Sequence, residues 1–174
     1  MLKFIDELGK QDLTGKKIVL RVDFDVPIID GKITENHRVK AQKETIDYLV
    51  DAGAKVLMVG HLGHEVSGAS FGPIVEEIGE ILEQTITLVP HSELGRVSEL
   101  FRAGPLLLLD NVRQDTREMQ NDDGSAIELA KRFDYYVNDA FAAMHRNHAS
   151  LVAVTKHLPS YAGFLVKKEV NNLK

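Results

Sequence analysis

Ile18 to Pro27 reads IVLRVDFDVP, and the stretch changes character halfway along. Ile18, Val19 and Leu20 are apolar and two of them β-branched, which suits a strand buried on both faces of a parallel sheet. Arg21, Asp23 and Asp25 then bring charge into the run, and Pro27 closes it. In open α/β sheets ligands sit beyond the carboxyl ends of the strands, so these three residues stand where chemistry is usually done. A charged turn after an ordinary strand would look the same, and the other strands decide between the two readings.

Outward from that stretch, strand and helix alternate. Residues 1 to 15 read as a short amphipathic lead-in closed by Gly15, and Ile29 to Lys32 reads as a turn on Asp-Gly. The pattern predicts helices near 37–51, 73–82, 92–101 and 125–132, with others to His157 and from Val166 to Lys174. Buried strands are predicted at Val56–Val59, Ile86–Val89, Leu106–Leu109 and Tyr135–Val137. Gln114 to Asp123 is strongly polar and reads as a mobile surface loop. Five strand–helix alternations without an internal repeat or linker imply one α/β domain, a parallel sheet covered by helices on both faces.

The residues after each strand carry the functional signal. Arg21, Asp23 and Asp25 follow the first, His61 and His64 the second, Arg113 the fourth, Asn138 and Asp139 the fifth. Arg38 begins the helix after the first strand, while His145, Arg146 and His148 lie just past the fifth. One arginine after a strand reads as an ion-pair partner, but four on one sheet edge read as an anion site. His145 and His148 fit either that site or the capping of a following helix; His91 reads as a surface histidine.

Totals narrow the ligand. The 174 residues are 44% apolar and 27% charged, with a net charge of −5, which argues against a general nucleic-acid binder. Nothing approaches a membrane span, and Asp6 and Glu7 break any signal-peptide core. With no cysteine there is no thiol nucleophile and no disulfide, which fits a cytoplasmic protein. The sequence has no GxxxxGK[ST] loop, and no GxGxxG follows a strand, so no glycine cradle for a nucleotide is evident. A basic crevice on an acidic protein then points to a small phosphorylated or carboxylated metabolite.

RVDFDVP (21–27), the DGKIT turn with Arg38 beyond it, GHLG (60–63), LLLLDNVR (106–113), YVNDAF (136–141), HRNHAS (145–150) and LPSYAGFLVKKEV (158–170) occur in one order over nearly the whole chain. In that order they resemble the phosphoglycerate kinase family. The resemblance implies a Rossmann-like three-layer α/β/α domain, residues 1–174, equivalent to the amino-terminal half of a two-domain kinase. The family passes phosphate between ATP and 3-phosphoglycerate, giving ADP and 1,3-bisphosphoglycerate. The resemblance therefore implies that ATP or ADP with Mg2+ belongs to a carboxyl-terminal half absent here, and that this chain binds no cofactor or metal. Among matching positions, Asp23 and Asp25 would meet the hydroxyl and carboxylate end of the glycerate. Arg38 would be the catalytic residue, stabilising the transferring phosphoryl group, and His61, Arg113 and Arg146 would hold the substrate phosphate. Phe24, Leu62, Gly63 and His64 come with the same motifs as substrate-binding positions.

Departures are specific. The family's asparagine at position 25 is Asp25, its arginine after His-Leu-Gly is His64, its aromatic after Arg113 is Gln114, and Ala142, Ala143 and Met144 replace a run of small residues. Asp23-Phe-Asp25-Val also fits the opening of haloacid-dehalogenase-type phosphatases, in which Asp23 would be the nucleophile and Asp25 the acid/base. A free-standing anion-binding or regulatory module is a third reading.

Overall fold

A computed structural model describes residues 2–63 and 68–173. In chain order the elements are α1 (Lys10–Leu13), β1 (Lys17–Arg21), β2 (Ile28–Ile29), β3 (Lys32–Ile33), α2 (His37–Ala41), α3 (Lys43–Asp51), β4 (Lys55–Val59) and α4 (Val75–Leu82). There follow β5 (Thr87–Val89), α5 (Val97–Leu100), β6 (Leu106–Leu109), α6 (Thr116–Met119), α7 (Asp123–Ala130), β7 (Tyr135–Asn138), β8 (Ser160–Ala162) and α8 (Phe164–Asn172). Six strands form one sheet in the order β5-β6-β4-β1-β7-β8, every pairing parallel. β1 is central, with Leu20 opposite Met58 on one side and Val137 on the other.

Alternation along β1 explains the layers. Ile18, Leu20 and Val22 enter a core with Val56, Met58, Ile46 and Leu49 of α3, and Ile78 and Leu82 of α4. Val19 points the other way, into a second core with Leu57, Leu107, Tyr136 and Leu129 of α7. A parallel sheet buried on both faces needs this double apolar set, so its strands read as continuous apolar runs. Arg21 shares the second face with Val19, two residues on. Asp30 and Gly31, with φ of 51° and 75°, turn the small β2–β3 hairpin as the Asp-Gly pair predicts.

Four local expectations need correction. The helix predicted over 37–51 is two pieces, because at Gln42 the ladder tightens to a bond from its N–H to Val39 O at 3.1 Å. The helix predicted over 92–101 is a 3-10 segment, His91–Arg96, followed by the single turn of α5, and the one predicted to reach His157 is the 3-10 segment Ala153–Lys156. The segment read as a mobile loop contains α6, capped by the Asp115 carboxylate and carrying the buried Glu118. The edge strand β8 is new; Tyr161 in it meets Tyr135 edge-on at 5.9 Å. Phe4 adds a parallel bridge to Ala162 on the outer side of β8.

Candidate functional site

All six strands run the same way, so their carboxyl ends share one edge, where a cleft of ≈ 120 Å³ is lined by Asp23, Asp25, Arg38, His61, Ala142, Ala143 and Arg146. β1 delivers Asp23 and Asp25, α2 delivers Arg38, β4 delivers His61, and the segment after β7 delivers Arg146. The topology thus joins residues more than a hundred positions apart.

Asp23 and Asp25 are tied into this edge. The Asp25 N–H donates to Asp23 Oδ1 at 3.3 Å. Asp25 Oδ1 accepts the Gly63 N–H at 2.9 Å, and its Oδ2 lies 3.5 Å from His61 Nε2. Gly63 has φ +86°, a conformation that favours glycine, which turns its N–H toward that carboxylate. Arg38 NH1 sits 3.4 Å from both oxygens of Asp23 while 41% of its side chain remains exposed. So long a pairing leaves the guanidinium available to a ligand.

Arg113 is wholly buried at the end of β6. Its NH1 donates to Gly63 O, yet Nε and NH2 have no hydrogen-bond partner among the described residues. Burial, and after it Arg146, pushes the Arg113 pKa down. Orphaned charged donors in a buried place have the chemistry to take an anionic partner. The loop they belong to is held by Asn111, whose Oδ1 accepts the Leu62 and Arg113 N–H groups at 3.0 and 3.1 Å and whose Nδ2 donates to Leu62 O and Ala69 O at 3.0 Å. His91 is no idle surface residue, for its Nε2 lies 3.0 Å from Asp110 O and Asn111 O and so donates to that turn.

His148 is 8% exposed with Nδ1 unpartnered among the described residues; burial first, then Arg113 and Arg146, pushes its pKa down to about 4. It is a neutral ring behind the arginines, whereas His145 is exposed. His61 is likewise held below the ordinary histidine range, by burial first and by Arg21 and Arg113, against the pull of Asp25.

Other predicted positions divide. Phe24 and Leu62 are buried in the core, Phe24 packing edge-on to Phe71 with ring centres 6.3 Å apart, and neither lines the cleft. Arg21 is at the right edge but fully buried, bonded to Val22 O, Ser150 Oγ and His61 Nδ1, and it does not line the cleft. Asp139 turns away to the start of α8, where its Oδ1 accepts the Val166 N–H at 3.2 Å. Asn138 Oδ1 accepts the Ala140 N–H at 3.0 Å and shapes the turn after β7. His64 lies outside the described residues. Three residues that sequence reasoning gave no role are built into this edge: Asn111 holds the loop, and Ser150, bonded to Glu118, accepts from Arg21; LLLLDNVR and HRNHAS contain two of them, and nothing in the polar run around Glu118 marks it as buried.

Comparison with known proteins supplies the relationship. The model of the family described as phosphoglycerate kinase matches residues 6–174. Phosphoglycerate kinase of Maricaulis maris is 38% identical over 97% of this chain and 44% of its own length, and the cytosolic enzyme of Triticum aestivum is 41% identical over the same shares. Among solved structures, phosphoglycerate kinase of Pyrococcus horikoshii superposes with a TM-score of 0.86 at 31% identity, covering 99% of this chain and 45% of that one. That of Coxiella burnetii gives 0.84 at 27% identity, covering 99% and 44%. The chain spans less than half the length of these relatives. With its parallel sheet, its strand-end cleft and these matches, the chain belongs to the phosphoglycerate kinase family.

Proposed function

We propose that this chain is the 3-phosphoglycerate-binding half of a phosphoglycerate kinase. The observation that carries the reading is Arg113, which does not line the cleft but lies buried behind it, within electrostatic reach of Arg146 and Asp25, with two guanidinium nitrogens unpartnered among the described residues. Arg113 and Arg146 take the substrate phosphate, assisted by His61. Asp23 accepts from the glycerate hydroxyl, the backbones of Phe24, Leu62 and Gly63 border the ligand, and His64 comes next in sequence. In the reaction a carboxylate oxygen of 3-phosphoglycerate attacks the γ-phosphorus of ATP, and the bond from that phosphorus to the ADP oxygen breaks. Negative charge builds on the phosphoryl oxygens in between, and Arg38, loosely held by Asp23, moves to meet it. No covalent nucleophile is required, because positioning and charge stabilisation supply the catalysis. ATP or ADP with Mg2+ is assigned to the carboxyl-terminal part of the family's length, which would act in cis.

The phosphatase reading of Asp23 and Asp25 gives way to the family assignment. The matched relatives include a cytosolic enzyme, and none of the described helices is long and apolar enough to cross a membrane.

Calorimetric titration with 3-phosphoglycerate tests the reading. Saturable binding is expected from the chain alone, with neither ATP affinity nor ADP release. Adding a separately expressed nucleotide-binding half should produce ADP. A folded chain that ignores millimolar 3-phosphoglycerate would overturn the assignment.

A further inference from the structure

Arg21, like Arg113, has no exposed surface, and its surroundings dictate the state of His61. Its NH1 donates to Val22 O at 2.6 Å, Nε to Ser150 Oγ at 2.8 Å, and NH2 lies 2.9 Å from His61 Nδ1. A guanidinium has donors only and keeps its charge, so Nδ1 of His61 must accept. A neutral imidazole then carries its single proton on Nε2, the nitrogen facing Asp25 and the cleft. A protonated ring, or the opposite tautomer, would set N–H against N–H at the Arg21 contact.

A buried arginine needs a counter-charge, and Glu118 of α6 supplies it at one remove. Glu118 is 5% exposed. Its Oε1 accepts the Ser150 hydroxyl at 2.6 Å and its Oε2 the Ser150 N–H at 2.9 Å. With its proton committed to Glu118, the Ser150 oxygen has its lone pairs free for Arg21 Nε. The neighbouring Ala149 N–H is bound to Glu118 O at 2.9 Å, and the Tyr136 hydroxyl donates to Ser150 O at 2.7 Å, so Ser150 itself is fixed. A continuous chain therefore runs Glu118–Ser150–Arg21–His61–Asp25, from a helix on one face of the sheet to the cleft at its edge.

We propose that Glu118 and Ser150 are positioning residues of the cleft, acting through Arg21 to hold His61 as the neutral Nε2–H tautomer, a fixed donor aimed at an anionic ligand oxygen. The identity of that ligand rests on the reading above, but the tautomer does not. Asp25, Arg113 and His148 also bear on the imidazole, and none of them contacts Nδ1 in the way Arg21 does.

The test is ring-nitrogen NMR on the chain labelled with ¹⁵N-histidine, at pH 7 without ligand, the His61 signals being identified by their loss in His61→Gln. The expected spectrum has Nδ1 unprotonated and Nε2 protonated. Glu118→Gln and Ser150→Ala should each mix the tautomers and weaken 3-phosphoglycerate binding by about tenfold, the equivalent of one charge-assisted hydrogen bond. Ser150→Thr keeps the hydroxyl, with room for its methyl in the ≈ 120 Å³ cavity that Ser150 and Glu118 both line, and should retain the parent spectrum. A parent His61 that is doubly protonated or protonated on Nδ1 overturns the proposal without any variant. Unshifted His61 nitrogens in a folded Ser150→Ala also overturn it, even if Glu118→Gln fails to fold. The expected tautomer responses in a chain that ignores 3-phosphoglycerate would support the relay while removing the kinase reading.

Discussion

Asp25 puts a carboxylate beside Arg38, Arg146 and the orphaned donors of Arg113, and the loop itself takes up part of that charge through Gly63 N–H and His61. A second anion entering the cleft still meets it. Two unit charges ~5 Å apart at an effective dielectric of ~20 repel by roughly 3 kcal/mol. Asp25→Asn should therefore tighten 3-phosphoglycerate binding, by at least about tenfold and up to roughly a hundredfold, in calorimetric titration at pH 7.5; unchanged or weaker binding would show that the carboxylate is compensated within the cleft. Arg38 behaves oppositely. Its pairing with Asp23 is long and partly exposed, worth at most about 1 kcal/mol. Arg38→Ala should leave the melting temperature within a few degrees, yet lose on the order of 10³-fold or more in rate once a nucleotide-binding half is supplied; retention of half the rate would dismiss the assigned role. Most of these residues were legible in the sequence because charge after an apolar run has one usual meaning in a parallel sheet. Arg21 was misjudged for a physical reason: charge type says nothing of whether a guanidinium faces ligand or is consumed by Ser150 and His61.

Among the elements, α8 is set by a buried acid. The α8 start is built on Asp139, whose Oδ1 accepts the Val166 N–H, while Thr45 Oγ1 of α3 accepts the Phe164 N–H at 2.9 Å. Gly163 is required there because a Cβ would overlap the Asp139 carboxylate, although its φ of −78° is ordinary. Burial pushes Asp139 up to about 6, against the Thr45 hydroxyl and the Val166 and Leu165 amides, with Glu44 adding to the rise. The native state then holds this proton more tightly than the unfolded chain, so its stabilising share is complete below about pH 4 and is lost as pH rises through 6. The two-unit difference corresponds to at most about 3 kcal/mol. Urea unfolding at several pH values should show Asp139→Asn gaining on the parent between pH 4 and 7; parallel stability curves would sink the idea. Periodicity predicted where α8 begins to within two residues, but not what it stands on, since NDAF reads equally as a crevice motif. Glu118 and α6 were hidden for the converse reason, a four-residue helix being too short to show any period.

At the scale of the molecule, the alternation of strands and helices was readable, while the order β5-β6-β4-β1-β7-β8 was not, because strand order depends on contacts between distant segments. β8 escaped for lack of length, three residues after Pro159 on the sheet's edge. The order matters because it puts β1, β4, β7 and β6 side by side and so gathers Asp23, His61, Arg146 and Arg113 from four segments onto one edge. A ligand bound there ties those segments together, and only the native sheet presents them jointly, so binding energy becomes folding energy. At a concentration one hundred times Kd the gain is about 2.7 kcal/mol. For a domain of 174 residues that corresponds to a rise in melting temperature of roughly 5–10 °C. Saturating 3-phosphoglycerate should produce such a rise, and inorganic phosphate, which lacks the glycerate end, a smaller one. Hydrogen exchange should localise the effect: amides of Val22 to Asp25, Leu62 and Gly63, Val112 and Arg113, and Ala143 to Arg146 should slow beyond the global change. The amides of α4, which carries none of the cleft's lining residues, should follow only the global change. Equal protection in α4 and at the strand ends, or a thermal shift that phosphate alone reproduces in full, would mean that the four segments do not close on a glycerate phosphate as one site.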